Sequence, residues 1–342
     1  MKIIVDAFGG DNAPLEILKG CAFAVVEHDV DILLVGDKKK IEKVADDNRI
    51  LLRRIEIKDV HDVISMEDEP TSILNEKSQS SMAEGLKALV AGEGDAFVSA
   101  GNSGALAVGA TLIAKRIRGI KRAAFAPILP NSSGHFMLID SGANVECRPE
   151  MLKQFGIMGH AYMKNVLGVP SPRVGLANIG AEKHKGTELY REAYNLLEKS
   201  SLNFVGNVEA RDIPADGADV VVADGFTGNI ILKTYEGVAM ELFRKIKGIL
   251  FKNLKTKLAA LMIQSDLMEL KKSADYNEFG GAPILGISKP VFKVHGNAKA
   301  KAVKSAIGLV KKYVEGNVIE EIYSAVKRSN LHEEEKGSDV DE

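Results

Sequence analysis

Short apolar runs recur along this chain, and each empties into a loop rich in Gly, Asn and Asp before helical periodicity begins. Residues 2–5 lead into DAFGGDNAP, where Pro14 can occupy the first turn of a helix. Residues 96–99 lead into AGNSGA and an apolar helix over 106–114, and residues 136–139 into DSGANVECRPE, with Pro149 opening a helix to about Val166. Residues 174–177 precede NIGAEKHKG and a helix over 187–199, and residues 291–294 precede HGNAKAKA and a long helix to about Val314. Strand and helix alternating in this way predict an α/β fold: a doubly wound, mostly parallel sheet with helices on both faces. Ligands of such folds bind beyond the carboxyl ends of the strands, where these loops must lie.

The junction DVVVADGFTGN over residues 219–229 shows the pattern in its sharpest form. Val220, Val221 and Val222 make a β-branched run suited to a strand covered on both faces, and Gly225 and Gly228 allow a close backbone approach. A helix starting at about Asn229 would aim free N–H groups at an anion or an oxyanion. Asn229 is then either the N-cap of that helix or a side-chain donor in a pocket.

The composition narrows the class. In 342 residues, 45% hydrophobic and 27% charged, there is material for one α/β catalytic unit or two closely joined lobes over residues 1–330. A net charge of -2 argues against a general nucleic-acid binder. Only two cysteines, Cys21 and Cys147, fit a reducing compartment, and the strand-like start and the lack of a long apolar run predict a protein that is soluble or rests on a membrane surface. The acidic end, HEEEKGSDVDE over residues 332–342, is expected to be disordered.

Several familiar chemistries are missing from the motifs. There is no P-loop, no G-x-G-x-x-G after the first strand, and no C-x-x-C or H-E-x-x-H metal spacing, so cofactor-free chemistry without a metal is favoured. Taken in order, DAFGGD, AGNSGA, DSGANVECRPE, PRVGLANIGAEKHKG, GNVEARDI, DVVVADGFTGN, YNEFGGAPILG and KVHGNAKAKA closely resemble the bacterial phosphate acyltransferases of phospholipid synthesis. The resemblance covers residues 2–314. It implies a fold like that of isocitrate and isopropylmalate dehydrogenases, without the cofactor. The reaction it implies converts an acyl-acyl-carrier-protein and inorganic phosphate to an acyl phosphate and free carrier protein. Phe8, Ser103 and Ala181 depart from the residues common in that family, Met, Thr and an acidic residue respectively.

Phosphate is largely dianionic near neutral pH and can attack a thioester directly, so such an enzyme has to position it and stabilise the oxyanion. Lys185, at a loop-to-helix junction before Gly186, and the Asn229 amide are the leading candidates under the resemblance, with His295 and Asp224 beside them. Asp6, Gly9, Gly10, Asn102, Ser103, Gly104, Asn144, Gly225 and Gly228 are expected to line the phosphate and substrate site. Asp6, Asp11 and Asp224 could instead orient Lys185 or His295, or satisfy backbone N–H groups. Cys147 is expected to be structural.

Residues 244–257, RKIKGILFKNLKTK, carry six cationic side chains and no anionic one among apolar residues at helical spacing. Such a segment suits an anionic membrane surface or a subunit interface. The resemblance implies a protruding helical hairpin over about 235–275, pairing between the subunits of a homodimer, with Leu254, Leu258, Leu261 and Met262 touching lipid on the cytoplasmic face. A membrane glycerol-3-phosphate acyltransferase would be the downstream partner. An acidic carrier protein could bind the same lysines. The alternatives are a soluble short-chain phosphotransacylase acting on acyl-coenzyme A and an NAD- and metal-dependent decarboxylating dehydrogenase. The second would need spaced arginines and aspartates that the sequence does not show.

Overall fold

The computed structural model describes residues 1–273 and 280–338. Its strands form two sheets rather than one. The larger has the order β3-β2-β1-β4-β12-β11-β5, with β1 (Lys2–Asp6), β2 (Asp31–Gly36), β3 (Ile55–Asp59), β4 (Ala96–Ser99) and β12 (Val291–Val294) parallel. Its edge turns antiparallel through β11 (Gly281–Leu285) and the two-residue β5 (Ala124–Phe125). The smaller sheet runs β6-β7-β10-β8-β9, in which β7 (Gly134–Ile139), β10 (Val220–Val222), β8 (Arg173–Asn178) and β9 (Asn203–Glu209) are parallel and β6 (Ile128–Asn131) is an antiparallel edge.

One apolar layer holds the two sheets together. Helices α1 (Leu15–His28), α5 (Pro149–Leu167) and α10 (Ala300–Glu315) bring Leu18, Phe155, Met158, Tyr162, Val303 and Ile307 into a single core with Ile3 and Val5 of the larger sheet and Val174 and Val220 of the smaller. Each sheet closes its other face with a cluster of its own. On the larger, Phe97 and Ile4 pack with Leu86 and Leu89 of α3 (Ser81–Ala91), and on the smaller, Phe136, Leu138 and Val221 form the centre. Because the central strands of both sheets are covered on both faces, they read as unbroken apolar runs, whereas the edge strands β3 and β9 are only partly buried.

Helix α2 (Lys38–Asp47) covers the outer part of the larger sheet, and α4 (Ser103–Gly109), which begins three residues before the expected helix, continues into a π turn over Ala110–Ala114 that ends where that helix was expected to end. Helix α6 (Glu188–Glu198) lies within a residue of its expected bounds at each end. Helix α7 (Gly225–Leu250) begins four residues before the expected position, and α8 (Leu254–Met262) and α9 (Gln264–Ser273) follow it. Residues 274 and 275 of the expected hairpin lie outside the described residues, as do 276–279 of the YNEFGG motif. The acidic end was expected to be disordered, but α11 (Val318–Ser338) carries it as helix to Ser338, since Leu, Glu and Lys are good helix formers; residues 339–342 lie outside the described residues.

Candidate active site

The parallel strands of both sheets end toward a shared cleft of about 500 Å³. The larger sheet contributes Asp11 from the loop after β1, Ser103 at the start of α4, and Lys293, His295, Gly296 and Asn297 from the end of β12. The smaller contributes Ser141 and Gly142 after β7, and Asn229, Lys233 and Glu236 from α7. Phe125, Pro127, Ile128, Leu129 and Leu232 make an apolar wall. The cleft therefore offers polar donors beside an apolar surface.

Asn229 was placed as a helix start, but the cap of α7 is Asp224. The Asp224 carboxylate accepts from Thr227 N at 2.8 Å, from the Thr227 hydroxyl at 2.8 Å and from the Tyr190 hydroxyl at 2.5 Å. With those oxygens occupied and the residue buried, Asp224 fixes the helix and α6 and does not line the cleft. Asn229 is thereby released from capping. It stands exposed in the second turn, with Nδ2 donating to Ser141 O at 3.2 Å. An amide nitrogen carries two hydrogens, so one remains for a substrate oxygen.

Gly225 and Gly228 were expected to bring backbone close to a ligand, and they bring it instead to the loop after β7. A Cβ on Gly228 would sit 1.9 Å from Asp140 O, and one on Gly225 2.6 Å from Asn144 O. That loop is wound around Asp140, which is fully buried and accepts from the backbone N–H groups of Phe125 (3.0 Å), Ala143 (3.0 Å) and Asn144 (2.7 Å). Asn144 also spends its side-chain amide here, on Ala123 O at 2.7 Å and Asp140 at 3.0 Å, so its place is in the scaffold and not in the cleft. Burial pushes the Asp140 carboxyl upward, and the amides around it oppose that shift.

The larger sheet repeats this design. Asp6, at the end of β1, is buried and accepts from the Ser81 and Ser99 hydroxyls at 2.7 Å each and from Phe8 N at 3.2 Å. Burial raises its carboxyl, against those hydrogen bonds and the charge of Lys293. Gly9 packs against it, since a Cβ would lie 2.8 Å from Asp6 Oδ2 and 2.6 Å from Gly101 N. Gly10 has φ +92° and turns the chain so that Asp11 N meets Gly296 O at 2.8 Å, which pins the loops after β1 and β12 together. Asn102 caps α4 by accepting from Ala105 N at 3.1 Å, and its amide donates to Ser65 O at 3.2 Å and Asp68 O at 3.0 Å. Gly104 makes room for Pro70. Of these expected phosphate contacts only Ser103 lines the cleft, with its hydroxyl exposed.

Lys185 does not line the cleft. Its loop is fastened by Asn178 Nδ2, which donates to Lys185 O at 3.2 Å, and by Asn207 Nδ2, which donates to Glu182 O at 2.9 Å. The half-buried side chain lies along Gly180, and its ammonium has no ion pair among the described residues. His295 does line the cleft, accepting from Asn297 N at 3.4 Å. Cys147 does not; burial pushes its thiol up to about 11, so it is protonated at neutral pH and poorly suited to nucleophilic attack.

Two cleft cations were missed in the sequence. Lys233 is paired to Glu236 at 2.8 Å. Lys293 donates to Ala100 O at 3.0 Å and Val294 O at 2.6 Å, and burial lowers its ammonium to about 8 against the pull of Asp6 and Asp11. The signal available was the position of Lys293 inside the otherwise apolar strand VFKV, where a lysine has to have a purpose or a partner.

A family model described as "Fatty acid synthesis protein" matches residues 1–321. The chain is 49% identical over 323 residues to a phosphate acyltransferase of Acetivibrio thermocellus, covering 94% of this chain and 95% of that one. It is 40% identical over 340 residues to a phosphate acyltransferase of Clostridioides difficile, covering 99% of each. Among solved structures, a phosphotransacetylase from Streptococcus pyogenes is similar with a TM-score of 0.61 and 16% identity, over 92% of this chain and 94% of that one. A 4-hydroxythreonine-4-phosphate dehydrogenase from Klebsiella pneumoniae reaches a TM-score of 0.54 at 13% identity, over 92% and 99%. Those two likenesses establish the α/β fold, while the near-complete sequence matches go further: the chain belongs to the phosphate acyltransferase family.

Proposed function

We propose that this phosphate acyltransferase takes its acyl group from a long-chain acyl-acyl-carrier-protein and passes it to inorganic phosphate for phospholipid synthesis. The observation that carries the reading is the two-sided cleft, in which Asn229, Lys293, His295 and Ser103 face an apolar wall of Phe125, Ile128, Leu129 and Leu232. The acyl chain lies on that wall, and the free Asn229 amide hydrogen donates to the thioester carbonyl oxygen as it becomes an oxyanion. Hydrogen phosphate dianion attacks the carbonyl carbon, the carbon–sulfur bond breaks, and the phosphate proton goes to the carrier thiolate, with His295 placed to relay it. Lys185 neutralises the tetrahedral intermediate by moving toward the cleft, a movement that breaks no ion pair among the described residues. No step calls for a cofactor.

The helices after β10 bear on where the reaction takes place. Leu254, Leu258 and Leu261 recur at helical spacing on α8 and are 74%, 55% and 66% exposed, and Met262 beside them is 85% exposed. With the six cations over residues 244–257, they form an amphipathic surface suited to the anionic inner face of a cell membrane. No helix among the described residues is long and apolar enough to cross a membrane. The exposed Val238 and Leu242 of α7 would pair between the subunits of a homodimer, and a membrane glycerol-3-phosphate acyltransferase would receive the acyl phosphate.

Purified protein, long-chain acyl-carrier-protein and phosphate should yield a hydroxamate when hydroxylamine is added. If hydroxamate appears with short-chain acyl-coenzyme A and not with the carrier-bound substrate, the coenzyme A reading is the right one. Charged residues in place of Leu258 and Met262 should release the protein from anionic vesicles while turnover in solution persists; unchanged vesicle binding rejects the lipid contact.

A further inference from the structure

We propose that Lys293 is the residue that binds the attacking phosphate, holding it against the end of β12 beside Ser103. The proposal rests on the phosphate acyltransferase reading for the identity of the anion, and otherwise on the surroundings of this one side chain.

Three lysines are available near the site, and their partners separate them. The Lys233 ammonium is already neutralised by Glu236 at 2.8 Å, on an exposed turn of α7. Lys185 lies outside the cleft. Lys293 lines the cleft and is held by two neutral acceptors, Ala100 O at 3.0 Å and Val294 O at 2.6 Å, with no carboxylate within ion-pairing distance among the described residues. An ammonium donates three hydrogen bonds. Two are taken by carbonyls that fix its position, and the third is left for a ligand. A buried charge held this way has no direct ionic partner and only the distant pull of Asp6 and Asp11, which is costly for the free protein and is relieved when an anion arrives.

The surrounding groups would orient a protonated phosphate at this spot. Asp6 acts on Lys293 through space, but its oxygens are tied to Ser81, Ser99 and Phe8 N. Asp11, from the same loop, also lines the cleft, and it would sit across from Lys293 as a hydrogen-bond acceptor for a protonated phosphate oxygen. Ser103 faces the cleft with a hydroxyl that has no partner among the described residues. Lys233, Glu236 and His295 complete the charged and titratable groups of the cleft. A phosphate held here would share the cleft with Asn229, the proposed carbonyl donor.

Burial leaves the Lys293 ammonium at about 8, so the free site loses its charge as pH rises through that value, while a bound anion keeps the proton on. Phosphate binding should therefore weaken by at least about tenfold between about pH 7 and about pH 9.5, with proton uptake on binding at the higher pH. Titration calorimetry of inorganic phosphate into the full-length protein measures both without an acyl donor. Lys293→Met should lower phosphate affinity roughly 10- to 100-fold, whereas Lys293→Arg, which cannot deprotonate in this range, should bind phosphate with little slope across the same pH span. A folded Lys293→Met that binds phosphate within about twofold of the native protein overturns the proposal, as does a wild-type protein that does not bind phosphate. If Lys293→Met does not fold, the contrast in slope between Lys293→Arg and the native protein decides: equal slopes overturn the assignment. If phosphate binds as described and acyl-carrier-protein yields no acyl phosphate, only the choice of acyl donor is wrong.

Discussion

The rims of the two sheets use the same device with different chemistry. Each has an aspartate buried at the end of a central strand that gathers the loop around itself: Asp6 collects two hydroxyls and one backbone N–H, and Asp140 collects backbone and side-chain amides. Neither lines the cleft. What differs is the group left facing the cleft, a cation on the larger sheet (Lys293) and a neutral amide on the smaller (Asn229). Under the proposed reaction, the cation would meet the phosphate and the amide the thioester carbonyl. In each rim, the residues that hold the loop are separate from the residues that line the cleft.

The sharpest way to break that division is to remove a holder. Asp140→Ala leaves several buried N–H groups without an acceptor, and should cost about 3–5 kcal/mol of folding free energy in urea denaturation. Asp6→Ala should cost less, roughly 2–4 kcal/mol, because two of its donors are hydroxyls that can rotate to other acceptors. Equal losses would mean the rims are not distinguished by the kind of donor they use.

Removing a residue that meets substrate should act on rate. Asn229→Ala should lower kcat by roughly 10²–10³-fold, about 3–4 kcal/mol of transition-state stabilisation, with little change in melting temperature. Lys185→Ala should also depress turnover without loss of stability, and if its melting temperature falls in step with activity, Lys185 belongs with the holders.

The smallest effect concerns the stability of the Lys293 site. A lysine whose folded pKa lies below its unfolded value takes up fewer protons in the folded state between those values, so stability rises with pH there. From about 8 toward the ordinary lysine range, the native protein should gain roughly 2 kcal/mol relative to Lys293→Met, read from melting curves at several pH values. At neutral pH, Lys293→Met should be at least as stable as the native protein, as expected where a charge is kept for binding at a cost in stability. A flat difference across that range would show that the ammonium is not strained by burial.

Much of the fold was legible because local rules and tertiary packing agree. The runs 2–5, 96–99, 136–139, 174–177, 220–222 and 291–294 are all strands, and the loops after them lie at one end of the sheets. The split into two sheets was only half legible, since the helices that join them show no linker in the sequence. The α7 boundary was misplaced because Asn229 and Asp224 are both acceptable caps, and only the hydrogen bond from Thr227 N decides between them. Of the expected site residues, Asn229, Ser103 and His295 line the cleft. Asp6, Asn102, Asn144 and Asp224 have the same residue chemistry but are consumed by backbone and hydroxyl partners that come from distant parts of the chain.

By itself the sequence determined the strand–loop–helix grammar and the family, because apolar runs and ordered glycine- and asparagine-rich loops are local properties of the chain. Only the tertiary structure decided which polar side chain is held and which is free. Whether an amide or a carboxylate is satisfied depends on N–H groups, hydroxyls and carbonyls that folding brings to it: Asn229 and Asn144 are the same residue type after the same kind of strand, and only one still has a hydrogen to give.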